Sequence, residues 1–289
     1  MKSDSQIERA VWRANIDLHA KEGPYYDAVH FEIFNFIEQH RLRRALALAS
    51  NMVTSKSRLA LDFGCGTGNV TSKLLSLGWK VIAVDTSKMM LNILSHKLRF
   101  ACYSGQLVVR DLGSKRINLA SGALGLVTCY SVLHHLYDYM SALSEFSRVL
   151  DEGGVLYVDH EHSNDFWNSQ DRFLYKIDLR LSALINDLYL KRVRRIRPPR
   201  LDYSMSDYRT KQETRISWPD IKKFLQANGF SVQELNYLVH RCIFPNPLHL
   251  ACKRTVKDTR AVIALKSNPK DHAVESSQSK QAHEAYHSM

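Results

Sequence analysis

Up to residue 162, apolar positions alternate between short continuous runs and stripes at helical spacing. A helix is predicted over 7–19, closed by Gly23 and Pro24. Phe31, Phe34, Ile37, Leu42, Leu46 and Leu48 recur at helical intervals and predict one long helix over 26–52. The apolar runs at 58–63, 79–84, 107–110, 124–130 and 155–159 read as buried strands. Between them, 70–77, 87–98 and 138–150 carry helical spacing. Gly78 closes the first of these helices, Ser87 caps the second, and Glu152, Gly153 and Gly154 stop the third.

The pattern then changes. A long helical stretch over 166–196 becomes strongly basic and stops at Pro198 and Pro199. A helix is predicted over 218–228, with Ser217 as its cap, and strands over 231–238 and 248–253 are expected to complete the sheet as a final antiparallel pair. From about residue 266 the chain is polar, which predicts a disordered tail. Together these elements predict an α/β protein with a doubly wound, mostly parallel seven-stranded sheet and an inserted helical lid. The implied organisation is a helical N-terminal cap over 1–57, an α/β core over 58–162, the basic lid over 163–215, the end of the core over 216–256 and the tail over 257–289.

The 289 residues, 45% of them hydrophobic, are enough for one large α/β domain with an elaboration. No apolar run approaches the roughly 20 residues needed to cross a bilayer. The polar N-terminus lacks the apolar segment of a secretory signal, so a cytoplasmic protein is expected. Five cysteines without regular spacing argue against a disulfide framework and against a zinc site, and no metal is expected. The formal net charge of +11 favours anionic partners.

Chemistry concentrates in Leu61-Asp62-Phe63-Gly64-Cys65-Gly66-Thr67-Gly68. Glycines at alternate positions allow a tight turn after the strand and leave no side chain between backbone and ligand. The next helix directs its free amide hydrogens at that ligand, where a carboxylate such as that of methionine is suited. The GxGxG spacing differs from the dinucleotide fingerprint, and no phosphate-binding lysine follows. Asp85 ends the second strand, where a carboxylate accepts hydrogen bonds from ribose hydroxyls. Asp111 ends the third, within reach of an adenine amino group, and Met89 and Met90 pack either on the adenine or in the helix core.

With these motifs, the sequence resembles the class I S-adenosylmethionine (SAM)-dependent methyltransferases of the small-molecule and cell-envelope type. The resemblance runs from about 59 to 158 and more loosely over 218–252. Tyr130-Ser131-Val132-Leu133-His134-His135 and Arg148-Val149-Leu150-Asp151-Glu152-Gly153-Gly154 fit the family's order. One departure is Ala123-Leu124-Gly125, where the family often has an acidic residue just before the fourth strand. The resemblance implies SAM as cofactor and S-adenosylhomocysteine as product. It implies that Gly64, Gly66 and Gly68 hold the methionine part, Asp85 the ribose and Asp111 the adenine, with Tyr130 and Ser131 beside the sulfonium. Asp62, Thr86 and Met90 join them as cofactor-binding candidates, as does Tyr26, whose segment Tyr25-Tyr26-Asp27 often folds over the cofactor in related enzymes.

Methyl transfer from a sulfonium is an in-line displacement in which the protein mainly aligns the acceptor. An oxygen acceptor usually also needs a base. The candidates follow strands four and five, at the edge where open α/β sheets place ligands. They are His134 and His135, then His160, Glu161 and His162. Strand alternation puts Asp159 and Glu161 on one face, with His160 and His162 on the other.

The insertion ends in Lys191-Arg192-Val193-Arg194-Arg195-Ile196-Arg197-Pro198-Pro199-Arg200, which contains no acid. Such a run is either a solvated helix end or a site for a phosphate-bearing acceptor, an anionic membrane surface or RNA. Aromatics do not interleave it and no RNA-binding module is recognisable, which favours a phosphorylated or lipid-linked acceptor over nucleic acid. The expected function is SAM-dependent methylation of a small-molecule, glycan or lipid-linked acceptor, with peripheral membrane contact through the insertion. The alternatives are an RNA or protein methyltransferase and a non-catalytic SAM- or partner-binding protein; the intact glycine loop, Asp85 and Asp111 argue against the latter. The oligomeric state is left open.

Overall fold

A computed structural model describes residues 3–113, 116–169, 172–211 and 215–267. Seven strands form one sheet in the order β3-β2-β1-β4-β5-β7-β6. They are β1 Leu59–Phe63, β2 Lys80–Asp85, β3 Leu107–Asp111, β4 Leu124–Tyr130, β5 Leu150–His162, β6 Phe230–Tyr237 and β7 Thr259–Lys266. Pairing is parallel from β3 through β5, and β7 runs antiparallel to both its neighbours, β5 and β6. Successive side chains enter opposite layers. Ala60, Val81, Leu126 and Tyr157 join one core, and Leu61, Ile82, Val127 and Val158 the other. Burial on both faces is why these strands read as continuous apolar runs. The strand order reverses between β1 and β4, opening a crevice at the carboxyl ends of the strands.

Several helices begin where the sequence signals them. Ser87 Oγ accepts from the Met90 amide at 3.4 Å at the start of Lys88–Lys97, and Asp138 Oδ1 from the Ser141 amide at 3.0 Å at the start of Tyr139–Val149.

Five expectations of the fold are corrected. The strand expected over 248–253 is the helix Pro247–Lys253, because Asn246 caps the Leu248 amide at 3.0 Å and Pro247 suits a first helical position. The seventh strand lies further on, at Thr259–Lys266, past the expected end of the core at 256 and within the span assigned to the tail; residues 268–289 fall outside the described residues. The single helix expected over 26–52 is three, Tyr26–Val29, Phe31–Phe34 and Phe36–Asn51. Asn35 breaks it, accepting from the Glu38 amide while donating to the carbonyls of Phe31 and His240. The stretch expected over 166–196 holds the helices Asn164–Ser169 and Phe173–Leu188, the latter running into a π-helical turn Tyr189–Arg194 that ends on Arg195 at φ 55°. Finally, Gly153 and Gly154 lie within β5, which begins at Leu150 and not at Val155.

Candidate active site

After β1 the chain turns through Gly64, Gly66 and Gly68, all at positive φ, and enters the helix Asn69–Ser76. A Cβ on Gly64 would lie 2.3 Å from a methyl of Val132, so that position tolerates no side chain. A Cβ on Gly66 would meet nothing within 4 Å, because it faces open space. The amides of Gly64 and Cys65 donate to the Val84 carbonyl, which ties the turn to β2. Asp85 completes the tie: Oδ2 accepts from the Gly66 amide at 2.9 Å and Oδ1 from the Ser87 amide at 2.8 Å. Each carboxylate oxygen keeps a further lone pair. Burial raises the Asp85 pKa, opposed by these backbone bonds. Asp62 sits beneath the turn, where Thr71 and Thr128 donate to its carboxylate at 2.5 and 3.0 Å. Burial outweighs those bonds and pushes Asp62 up to about 6.

A cavity of about 1110 Å3, including its mouth, opens above this turn. Of the expected cofactor residues, Tyr26, Gly64, Gly66, Asp85, Thr86, Met90, Tyr130 and Ser131 line it. Asp62 and Gly68 lie behind the wall, and Asp111 is exposed while its neighbour Leu112 lines the cavity.

The roof went unread in the sequence. Glu8, Val11, Trp12, Asn15 and His19 form one face of the first helix, Asp4–Glu22, and cover the cavity. Their spacing of three, one, three and four residues is a helical stripe. Its polar members are the available signal, since a stripe facing only core would be apolar. Asn15 donates to the carbonyls of Val11 and His135, yet its Oδ1 has no hydrogen-bond partner among the described residues. The same holds for the buried Tyr130 Oη, whereas His19 Nδ1 lies 3.6 Å from Glu22 Oε2. Two unmatched polar atoms on residues that line one cavity suit a polar ligand better than an empty space.

The five candidate bases separate. His135 lines the cavity, whereas His134, His160, Glu161 and His162 do not. His135 Nδ1 faces the Ser206 carbonyl at 3.0 Å. A carbonyl can only accept, so Nδ1 carries the proton and Nε2 the lone pair. Burial and the neighbouring His134 hold the His135 pKa well below the ordinary range, so the ring is neutral. Glu161 is buried and accepts from the amides of Val132, Leu133 and His134 and from His134 Nδ1. Burial alone would lower His134, but Glu161 outweighs it and raises the pKa.

The expected alternation along the end of β5 fails, because His160 adopts φ 60° at an irregularity between Val158 and Glu161. Asp159 therefore turns towards Arg41, Tyr157 and Tyr237, while Glu161 reaches the turn after β4. His160 stacks on Tyr130 with centroids 5.2 Å apart, and His162 on Phe166 at 3.8 Å. His134, His135 and Asp207 each place one potential metal-ligating atom within 4.8 Å of the others, although both histidines already direct Nδ1 at Glu161 and Ser206.

Charged contacts pin the roof. His30 lies between Glu32, 2.7 Å from Nδ1, and Glu22, 3.0 Å from Nε2. Burial disfavours the imidazolium, but the two carboxylates outweigh it and raise His30 to about 10. Glu22 is held well below the usual carboxylate range, its burial outweighed by His19, His30 and Tyr203. The Tyr203 hydroxyl donates to Glu22, joining the lid to the first helix. Lys97 pairs with Asp27, which also accepts from Thr67 at 2.5 Å beside the glycine turn.

Residues 61–158 match the family model of a methyltransferase domain. An uncharacterised methyltransferase of Geobacillus kaustophilus is 29% identical over 115 residues, which is 39% of this chain and 51% of the relative. The demethylmenaquinone methyltransferase of Staphylococcus saprophyticus is 33% identical over 134 residues, 45% of this chain and 55% of the relative. The chain thus spans about half the length of these two relatives. The crystal structure of magnesium protoporphyrin IX methyltransferase from Synechocystis, with S-adenosylhomocysteine bound, superposes with a TM-score of 0.50 at 18% identity, covering 87% of this chain and 98% of that one, so the fold is shared. Residues 61–158 thus form a methyltransferase domain, the glycine turn and the β2 carboxylate that meets it lie within that domain, and the chain shares the fold of a solved methyltransferase.

Proposed function

We propose that the protein transfers a methyl group from SAM to a small-molecule, glycan or lipid-linked acceptor at the cavity between the glycine turn and the first helix. The observation that carries this reading is the pair of unmatched polar atoms, Asn15 Oδ1 and Tyr130 Oη, on residues that line one cavity with Asp85. When bound, SAM supplies a methyl group already activated by its sulfonium.

The chain's own residues have complementary tasks. Gly64 and Gly66 allow the backbone to approach the methionine part, with Gly68 fixing the start of the next helix. Asp85 accepts from the ribose with its remaining lone pairs. Thr86, Met90 and Leu112 form the wall beside the adenine, and Asp111 contacts it only from the rim. Asp62 positions the turn through Thr71 and Thr128. Tyr26, Tyr130 and Ser131 close the space near the sulfonium, and the first helix excludes water.

His135 is the group placed to take a proton from an oxygen acceptor, through Nε2. Its depressed pKa keeps it unprotonated, and Ser206 fixes its tautomer. His134 and Glu161 act behind it as positioning residues, with His160 and His162 packed on Tyr130 and Phe166. The basic segment 191–200 would receive an anionic part of the acceptor or of its carrier.

The test is transfer of a labelled methyl group from SAM into solvent-extracted and aqueous cell fractions, followed by the same assay on His135→Gln. Turnover is expected to fall by about 100-fold with SAM affinity unchanged. Unchanged turnover would move the chemistry to an acceptor that needs no base, and absence of both SAM binding and labelled product would overturn the reading.

A further inference from the structure

The lid helix Phe173–Leu188 packs an uncharged and acidic polar face inward and keeps Lys176, Arg180 and Asp187 exposed. Asp178, Ser182 and Asn186, four residues apart, share one face, and the first two are buried. Asp178 Oδ1 accepts from Asn246 Nδ2 at 2.6 Å. Asn186 donates to the Arg241 carbonyl at 2.7 Å and accepts from the Ile243 amide at 2.9 Å. The adjoining face carries Leu174, Leu181, Leu184 and Leu188, at helical spacing, and all four are exposed; Leu184 is 56% exposed. Phe173, 73% exposed, extends the stripe at its start. A surface helix that satisfies one polar face against the protein and presents leucines outward has its apolar face directed at something other than this domain's core.

Charge says what that is. The stripe runs into Lys191–Arg200, where six of ten residues are cationic and none is acidic. Lys191 pairs with Asp187 at 2.8 Å, and Arg192, Arg194, Arg195, Arg197 and Arg200 are exposed. A second copy seated on the stripe would bring two such cationic segments together, which opposes association. Residues 268–289 are mostly polar and offer no matching apolar stripe. An anionic lipid surface meets both requirements at once, apolar depth for the leucines and phosphates for the arginines. Among the described residues no helix is long and apolar enough to cross a membrane, so the contact is one of lying on the surface.

We infer that the face formed by Leu174, Leu181, Leu184 and Leu188 with the basic segment 191–200 docks the protein on an anionic membrane surface. The inference stands apart from the methyl-transfer reading, because its readout is binding to lipid.

The experiment sediments the full chain with phosphatidylcholine vesicles, with and without phosphatidylglycerol. The parent protein is expected to pellet with the anionic vesicles and to stay largely in solution with the neutral ones. Joint replacement Leu181→Asn, Leu184→Asn and Leu188→Asn should weaken pelleting at least tenfold at unchanged thermal midpoint, since all three side chains are exposed. Joint replacement Arg192→Gln, Arg194→Gln and Arg195→Gln should weaken it by roughly 100-fold at low salt, with the deficit shrinking as salt rises. A parent protein that ignores anionic vesicles overturns the inference without recourse to any variant. So does vesicle binding that both variants retain. A concentration-dependent dimer that the leucine variant abolishes, in a protein that does not bind vesicles, would instead assign the stripe to a second copy.

Discussion

The glycine turn in the floor of the cavity spends its amides on its own strands, whereas the roof leaves a polar acceptor open. In the floor, the amides of Gly64, Cys65 and Gly66 all donate to β2, through the Val84 carbonyl and Asp85. In the roof, Asn15 keeps its Oδ1 unmatched, and the helix that carries it is held by His30, Glu22 and Tyr203. A surface that must keep its shape without ligand is built from backbone bonds between adjacent strands. A surface that closes on a ligand can leave its recognition atoms unsatisfied and be held by titratable contacts. The floor should therefore respond to substitution through stability and affinity together, and the roof through affinity and pH.

The largest effect is expected at the back of the floor. Glu161→Ala would strand three backbone amides and the His134 imidazole, a loss of about 3–5 kcal/mol of stability. Thermal melting should show it, with a smaller loss of turnover per folded molecule than His135→Gln gives. A collapse of turnover at an unchanged melting temperature would make Glu161 a chemical group and erase its distinction from His135.

Asp85→Ala comes next. Removing the ribose acceptor should weaken SAM binding by about 2–3 kcal/mol, roughly 30- to 150-fold, and should also lower stability by releasing the Gly66 and Ser87 amides. Calorimetry giving full affinity would locate the ribose elsewhere.

The roof should titrate through its own charged contacts. His30 is raised from 6.5 to about 10, so its contribution is complete below about pH 6.5 and is lost as pH rises through 10. Glu22 is depressed, so its share is present above its ordinary 4.5 and is lost in acid. Protection of the first helix from proteases should thus be greatest between about pH 4.5 and 6.5 and decline towards pH 10. The alkaline decline should disappear in His30→Gln; its persistence there would place the responsible group elsewhere.

The smallest effect belongs to one open atom. Asn15→Ala should cost about 1 kcal/mol of SAM affinity, roughly fivefold, through the loss of a single acceptor. No change in calorimetry would mean that Oδ1 meets water in the bound state as well.

The glycine turn, Asp85 and β1 to β4 were legible because each is written in a few consecutive residues: an apolar run, a turn residue, a carboxylate at the strand end. The end of the sheet was misread for the same reason. The apolar pattern of 248–253 fits helix and strand alike, and the choice fell to Asn246 and Pro247, while Thr259–Lys266 lay past the point where the tail was expected to begin. The roles at His160 to His162 were obscured by a local irregularity that alternation does not foresee.

By itself the sequence determined the doubly wound sheet, its glycine turn and the carboxylate that meets it, since strand period, turn chemistry and helix capping act over a few neighbouring residues. Tertiary structure alone decided the roof, which of five candidate bases faces the cavity, and which side of the lid helix looks outward. These depend on contacts between distant segments: Asn15 with His135, Arg41 with Asp159, Tyr203 with Glu22, and Asp178 with Asn246. Whether a buried polar atom is matched or left open is settled only when both segments are in place, because a hydrogen bond needs its partner within about 3 Å and aligned.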